Sequence, residues 1–247
     1  MQKFEDIKGL VFDYGGTLDS EGRHWSYILR EGIESCGVVL DDDNWREAYV
    51  YAERYLATHR VIMPDDTFRD VMLKKIEIEV SRLLENNAMP SRASSAEKSG
   101  IIRKAACYCY EYARENIRRS KDVLEKLHGK FPMVLVSNFY GNVETVLKDF
   151  GLHCYFSGVV ESSRVNVRKP DPRIFKMGVE LLGLEPHAVV VIGDSYDKDI
   201  MPSASLGCRT IWLKGEGWNS ATHDGQPKQM CADAIVGTIT SLPALLL

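Results

Sequence analysis

Gly9-Leu10-Val11-Phe12-Asp13-Tyr14-Gly15-Gly16-Thr17-Leu18 is the stretch on which the fold turns. A short apolar run ends in a carboxylate, and two glycines and a threonine follow at once. Glycines let a backbone approach an anion closely, and the free amides of such a turn can bind phosphate oxygens. A strand ending in Asp13 therefore points a charged group at a ligand. On its own, the same pattern also describes an aspartate that only closes a tight turn.

Similar nearly continuous runs recur at Met133-Val134-Leu135-Val136, Val189-Val190-Val191-Ile192, Ile211-Trp212-Leu213 and Ala234-Ile235-Val236, with a weaker one at Gly158-Val159-Val160. Continuous rather than alternating apolar residues imply strands buried on both faces, as in a parallel sheet. Helical stretches lie between them, at Lys121–His128, Asn142–Phe150, Pro172–Leu182 and Asp199–Leu206. Strand-helix alternation predicts an open, doubly wound α/β domain. Such sheets carry their sites at the carboxyl ends of the strands, where Asp13, Ser137 and Asp194 all fall.

The stretch from about residue 20 to 118 breaks this alternation. Four apolar stripes of helical period run along it: Trp25 to Cys36, Trp45 to Leu56, Phe68 to Leu83 and Ile102 to Ile117. The last follows Ser94-Ser95-Ala96-Glu97, a capping-box pattern. Residues 19–118 are thus expected to form an inserted helical bundle, with 1–18 and 119–247 as the α/β core. The polar segment 86–99 is expected to be a loop.

Composition narrows the function classes. The 247 residues are 45% hydrophobic and 27% charged, with a net charge of −4, so nothing favours nucleic acid or an anionic membrane as partner. No apolar run approaches the roughly 20 residues that span a bilayer. The start has no signal-peptide layout, and the six cysteines form no CxxC pair and read as reduced thiols. A cytoplasmic protein is expected, of open oligomeric state.

Three more segments carry chemistry: Ser137-Asn138 at a strand end, Lys169-Pro170-Asp171-Pro172 before a helix, and Gly193-Asp194-Ser195-Tyr196-Asp197-Lys198-Asp199 after a strand. Carboxylates at neighbouring strand ends can hold a hard cation such as Mg²⁺. A hydroxyl and a lysine can clamp phosphate oxygens. A further carboxylate can attack phosphorus.

In this order the motifs resemble the haloacid dehalogenase superfamily, with the bundle in the place of its inserted cap. The resemblance implies a Rossmann-like core and a Mg²⁺-dependent phosphatase of small phosphorylated metabolites. It makes Asp13 the nucleophile and a metal ligand, and Lys169 the residue that neutralises it. Ser137 and Asn138, with Gly16, would bind phosphate. The metal would be held by Asp13, the Gly15 carbonyl and Asp194, with Asp199 supporting.

One position departs from the pattern. The phosphatases carry a second Asp two residues after the nucleophile, which protonates the leaving group; here that residue is Gly15. General acid-base help is worth roughly 10²–10⁴-fold. Asp19, Glu21 and His24 are candidate substitutes near the cap hinge, each expected to be solvent-exposed. Gly15 keeps three other readings open: a haloacid dehalogenase, a phosphonate hydrolase and a non-catalytic phosphate-binding relic. Dehalogenation needs no metal, and the Asp194/Asp199 pair would repel its anionic substrate. Phosphonate cleavage uses a cap lysine as a Schiff base, but Lys74 and Lys75 are expected to be surface lysines. Arg23, Arg30, Arg54 and Arg60 are the cap cations available for a second anionic group.

Overall fold

The computed structural model describes residues 4–89, 95–217 and 231–247. Six strands form one sheet: β1 (Gly9–Phe12), β2 (Met133–Ser137), β3 (Gly158–Glu161), β4 (Val189–Gly193), β5 (Arg209–Leu213) and β6 (Ala234–Val236). Their order is β3-β2-β1-β4-β5-β6, and every pairing is parallel. This is the expected α/β architecture. In β1, Leu10 and Phe12 enter one apolar cluster and Val11 the other, so this strand feeds two cores and reads as continuously apolar.

Register sets the site. Phe12 lies opposite Leu135 on one side and Ile192 on the other. Asp13, Ser137 and Asp194 therefore emerge together at one edge, and the Asp13 amide continues the ladder by donating to the Ile192 carbonyl at 2.9 Å.

Between β1 and β2 come four helices: α1 (Trp25–Glu34), α2 (Asp42–Thr58), α3 (Phe68–Glu85) and α4 (Ser95–Leu127). Among the described residues this stretch holds no strand. His24 caps α1, Asp41 caps α2, and a Thr67–Asp70 capping box opens α3. The fourth stripe and the separately expected helix at Lys121–His128 are one helix of 33 residues. Ile102, Ala106, Cys109, Ala113 and Ile117 are buried in its first half, and Val123, Leu124 and Leu127 in its second. One buried face thus serves bundle and sheet without a break. Ser95 to Ser99 are helical rather than loop; Pro90 to Ser94, including the first capping-box serine, fall outside the described residues.

The remaining helices are α5 (Val143–Asp149), α6 (Ser162–Val165), α7 (Arg173–Leu182), α8 (Met201–Ser205) and α9 (Leu242–Leu246). Among the described residues no helix is long and apolar enough to cross a membrane. The six cysteines are free thiols.

Candidate active site

Asp13 sits buried at the end of β1, with its two oxygens in different company. Oδ1 accepts from Lys169 Nζ at 2.5 Å, and Oδ2 lies 2.9 Å from the Thr17 hydroxyl. That hydroxyl is also 3.2 Å from Asp194 Oδ1, so it donates to one carboxylate at a time. Gly16 makes this approach possible. Its φ is +98°, and a Cβ there would stand 2.5 Å from the Asp194 carboxylate oxygens.

Lys169 is buried and doubly paired, reaching Asp199 Oδ1 at 2.7 Å as well as Asp13. Asn138 holds its backbone. The Asn138 side chain accepts from the Lys169 amide at 2.9 Å and donates to the Lys169 carbonyl at 3.2 Å. That side chain is therefore occupied in positioning the lysine, a use the sequence did not suggest. Asp199 is held on its other oxygen by the Ser195 amide at 3.0 Å. Gly193 is forced here, since a Cβ would come within 2.4 Å of Asp199 Cβ. Trp212 of β5 steadies Asp194 by donating from Nε1 to its carbonyl at 2.7 Å. Ser137 ends β2 with its hydroxyl buried and no hydrogen-bond partner among the described residues.

Three carboxylates thus face one ammonium. Burial pushes the Asp13 carboxyl up to about 6, with the Lys169 charge opposing and Asp199 adding. Asp194 is pushed well above the carboxylate range by burial and by the charges of Asp13 and Asp199. Burial alone would lower Lys169, but its two carboxylate partners more than reverse this and keep it protonated. Oxygen atoms of Asp13, Asp194 and Asp199 lie within 4.8 Å of one another. An all-oxygen set with excess negative charge suits a hard divalent cation.

Several expectations fail nearby. Asp19 is 1% exposed rather than solvated. It accepts from the Gly16 amide at 2.7 Å and from Trp25 Nε1 at 3.1 Å, tying the catalytic turn to α1, and burial pushes its carboxyl up to about 7. Glu21 is half-buried, accepting from Thr238 and paired with Arg119. His24 accepts from the Ser26 amide and packs edge-on against Tyr49, and burial lowers it to about 4. Lys75 is 4% exposed and bound to Glu53, while Lys74 pairs with Asp66. Arg23 is spent on Glu31 and Glu216, and Arg30 on Glu34 and Asp42. Arg54 and Arg60 are exposed. Arg60 borders a groove of about 620 Å³ that none of the three site carboxylates lines.

Thr17 bridges Asp13 and Asp194, a role that depends on the sheet bringing β1 and β4 together rather than on the turn motif itself. Trp212 belongs to an apolar strand run, and its contact with Asp194 comes from the register that sets it opposite Gly193.

The model of the haloacid dehalogenase-like hydrolase family matches residues 7–207. Haloacid dehalogenase-like hydrolase domain-containing protein 3 of Danio rerio is 37% identical over 112 residues, 45% of this chain and 44% of its own length. A glyceraldehyde 3-phosphate phosphatase of Methanocaldococcus jannaschii is 39% identical over 67 residues, 27% of this chain and 29% of its own. The matched segments span less than half the length of either relative. Among solved structures, the HAD-hydrolase YfnB of Bacillus subtilis, bound to magnesium, superimposes with a TM-score of 0.56 at 17% identity, covering 97% of this chain and 98% of that one. The parallel sheet, the carboxylates converging at its edge and the family match over most of the chain together make this protein a member of the haloacid dehalogenase-like hydrolases.

Proposed function

We propose that the chain is a Mg²⁺-dependent phosphatase of small phosphorylated metabolites, working in the cytoplasm, with residues 19–118 as a cap over a core of 1–18 and 119–247. The observation that carries this reading is Asp13, buried at a strand end with Lys169 on one oxygen and two further carboxylates beside it. Asp13 attacks phosphorus and the ester P–O bond breaks, leaving an aspartyl-phosphate that water hydrolyses. Lys169 offsets charge on the nucleophile and the incoming phosphate. The orphaned Ser137 hydroxyl gains a partner in a phosphate oxygen, and the turn at Gly16 brings backbone close to it. Asp13, the Gly15 carbonyl and Asp194 would hold the cation, with Asp199 anchoring Lys169. When bound, the cation polarises the phosphoryl group and shields it from the carboxylates.

Gly15 has no proton to give the departing oxygen, so leaving groups that are stable as anions suffer least. The two other hydrolytic readings each meet an obstacle. Halide displacement from an anionic acid would take place beside Asp194 and Asp199. A Schiff base needs a neutral lysine, and Glu53 keeps Lys75 protonated against the pull of burial. The non-catalytic reading rests on Gly15 alone.

The test is Mg²⁺-dependent phosphate release from p-nitrophenyl phosphate by wild type and Asp13→Asn. Wild-type turnover abolished in the variant is expected. Equal rates would overturn the assignment and leave a phosphate-binding protein.

A further inference from the structure

From Asp13 to Ser20 every residue of the catalytic turn is buried except Gly15, which is exposed. The Gly15 carbonyl accepts no hydrogen bond among the described residues. It shares one peptide group with the Gly16 amide, and that peptide is trans. Such a group is planar, with its N–H and C=O pointing in opposite directions. Whatever holds the Gly16 amide therefore aims the Gly15 carbonyl.

Asp19 holds that amide. Its Oδ1 accepts from Gly16 N at 2.7 Å, and its Oδ2 accepts from Trp25 Nε1 at 3.1 Å. Trp25 opens α1, and its ring centre lies 5.4 Å from that of Phe68 in α3. Asp19 is itself buried, so both bonds are shielded from water. On its other side Gly16 abuts the Asp194 carboxylate, where a Cβ would stand 2.5 Å from the oxygens. The peptide is thus clamped between a carboxylate of its own turn and one at the end of β4. Two adjacent glycines would otherwise leave its plane free to rotate. A carboxylate on the N–H also polarises the peptide and strengthens its carbonyl oxygen as a ligand.

We propose that Asp19 is a positioning residue for the metal site: by holding the Gly16 amide it aims the Gly15 carbonyl at a cation shared with Asp13 and Asp194. The proposal rests on the Mg²⁺ reading of the site and adds to it a residue that touches neither metal nor substrate. Trp25, by fixing the second oxygen of Asp19, ties this contact to the first helix of the bundle.

Gly15-Gly16 is the only Gly-Gly pair in the sequence. When glycine alone is labelled with ¹³C and ¹⁵N, a carbonyl-to-amide NMR correlation therefore reports this one peptide. Mg²⁺ is expected to shift its carbonyl resonance in the wild type, and titration calorimetry gives the affinity. Asp19→Leu, of similar size but without an acceptor, should weaken Mg²⁺ binding by roughly tenfold or more, as loss of a metal ligand's outer partner commonly does. Asp19→Asn combined with Trp25→Phe keeps an oxygen for the Gly16 amide and removes the donor that would face the new amide group. This double variant should stay within about threefold of wild type, well inside that outer-partner loss. Melts without Mg²⁺ separate positioning from bulk stability, since a purely structural role would make affinity follow Tm across the variants. Wild-type affinity in Asp19→Leu would overturn the proposal. So would Mg²⁺ binding that leaves the wild-type carbonyl resonance unmoved, a result that needs no variant to fold. Absence of Mg²⁺ binding by wild type would instead remove the metal reading, and this proposal with it.

Discussion

Gly15 and Gly16 are adjacent and chemically identical, yet their surroundings differ completely. Gly16 is in the left-handed region with the Asp194 carboxylate against it, whereas Gly15 is not, and a Cβ there meets nothing within 4 Å. The turn therefore admits a side chain at one position and refuses it at the next. Gly15→Asp is expected to raise kcat for alkyl phosphates by roughly 10- to 100-fold, inside the usual range for general acid-base help, and for aryl phosphates far less. Steady-state kinetics on the two substrate types checks this; an equal effect on both would mean that proton donation is not what Gly15 lacks. Gly16→Ala is expected to inactivate, because strain and the clash with Asp194 both displace the turn. Asp19 belongs to the same scale. Both of its oxygens accept protein hydrogens, so it holds the turn against α1 rather than offering a proton.

Among the elements, α3 carries the least expected chemistry. Glu79 points into the bundle with both carboxylate oxygens unpartnered among the described residues, and burial pushes its pKa up to about 8 despite the nearby Lys75. The folded state therefore binds a proton that the unfolded chain releases from about pH 4.5 upward. Stability is lost as pH rises from the unfolded value towards 8, and it levels off above that. Glu79→Gln has no such charge to bury. Its stability relative to wild type should be near zero at pH 4 and favourable by on the order of 5 kcal/mol at pH 9. Denaturant melts across pH check this, and a difference independent of pH would show that Glu79 is not protonated in the fold. The Thr67–Asp70 capping box at the start of the same helix gives a smaller expectation. Thr67→Ala should cost about 1 kcal/mol in the same melts.

At the scale of the molecule, the sheet edge concentrates negative charge that folding alone does not neutralise. A cation that binds only the native state raises stability by about 2.7 kcal/mol at a hundredfold excess over its Kd. For a chain of this length that is a rise in Tm of roughly 5–10 °C. Mg²⁺ is expected to produce such a rise in wild type, and Asp194→Asn to remove most of it. An unchanged Mg²⁺ response in that variant, followed by differential scanning calorimetry, would take Asp194 out of the ligand set.

The α/β alternation, the helical insertion and the four motif segments were all legible in the chain. Each rests on local chemistry: apolar period, turn residues, and a carboxylate at the end of an apolar run. Leu10, Val11 and Phe12 read as buried on both faces because each neighbour feeds a different core. Packing sets which polar groups lose water and whom they meet. Lys74 and Lys75 are neighbours of one residue type, yet one is half-buried against Asp66 and the other turns fully inward to Glu53. Asp19 follows a turn, where aspartates are commonly solvated, but it is sealed beneath Trp25. The break expected near residue 118 is absent because one face of α4 serves both the bundle and the sheet. Period and composition are properties of short stretches, whereas desolvation and charge balance are sums over elements far apart in the chain, and only the packed molecule performs them.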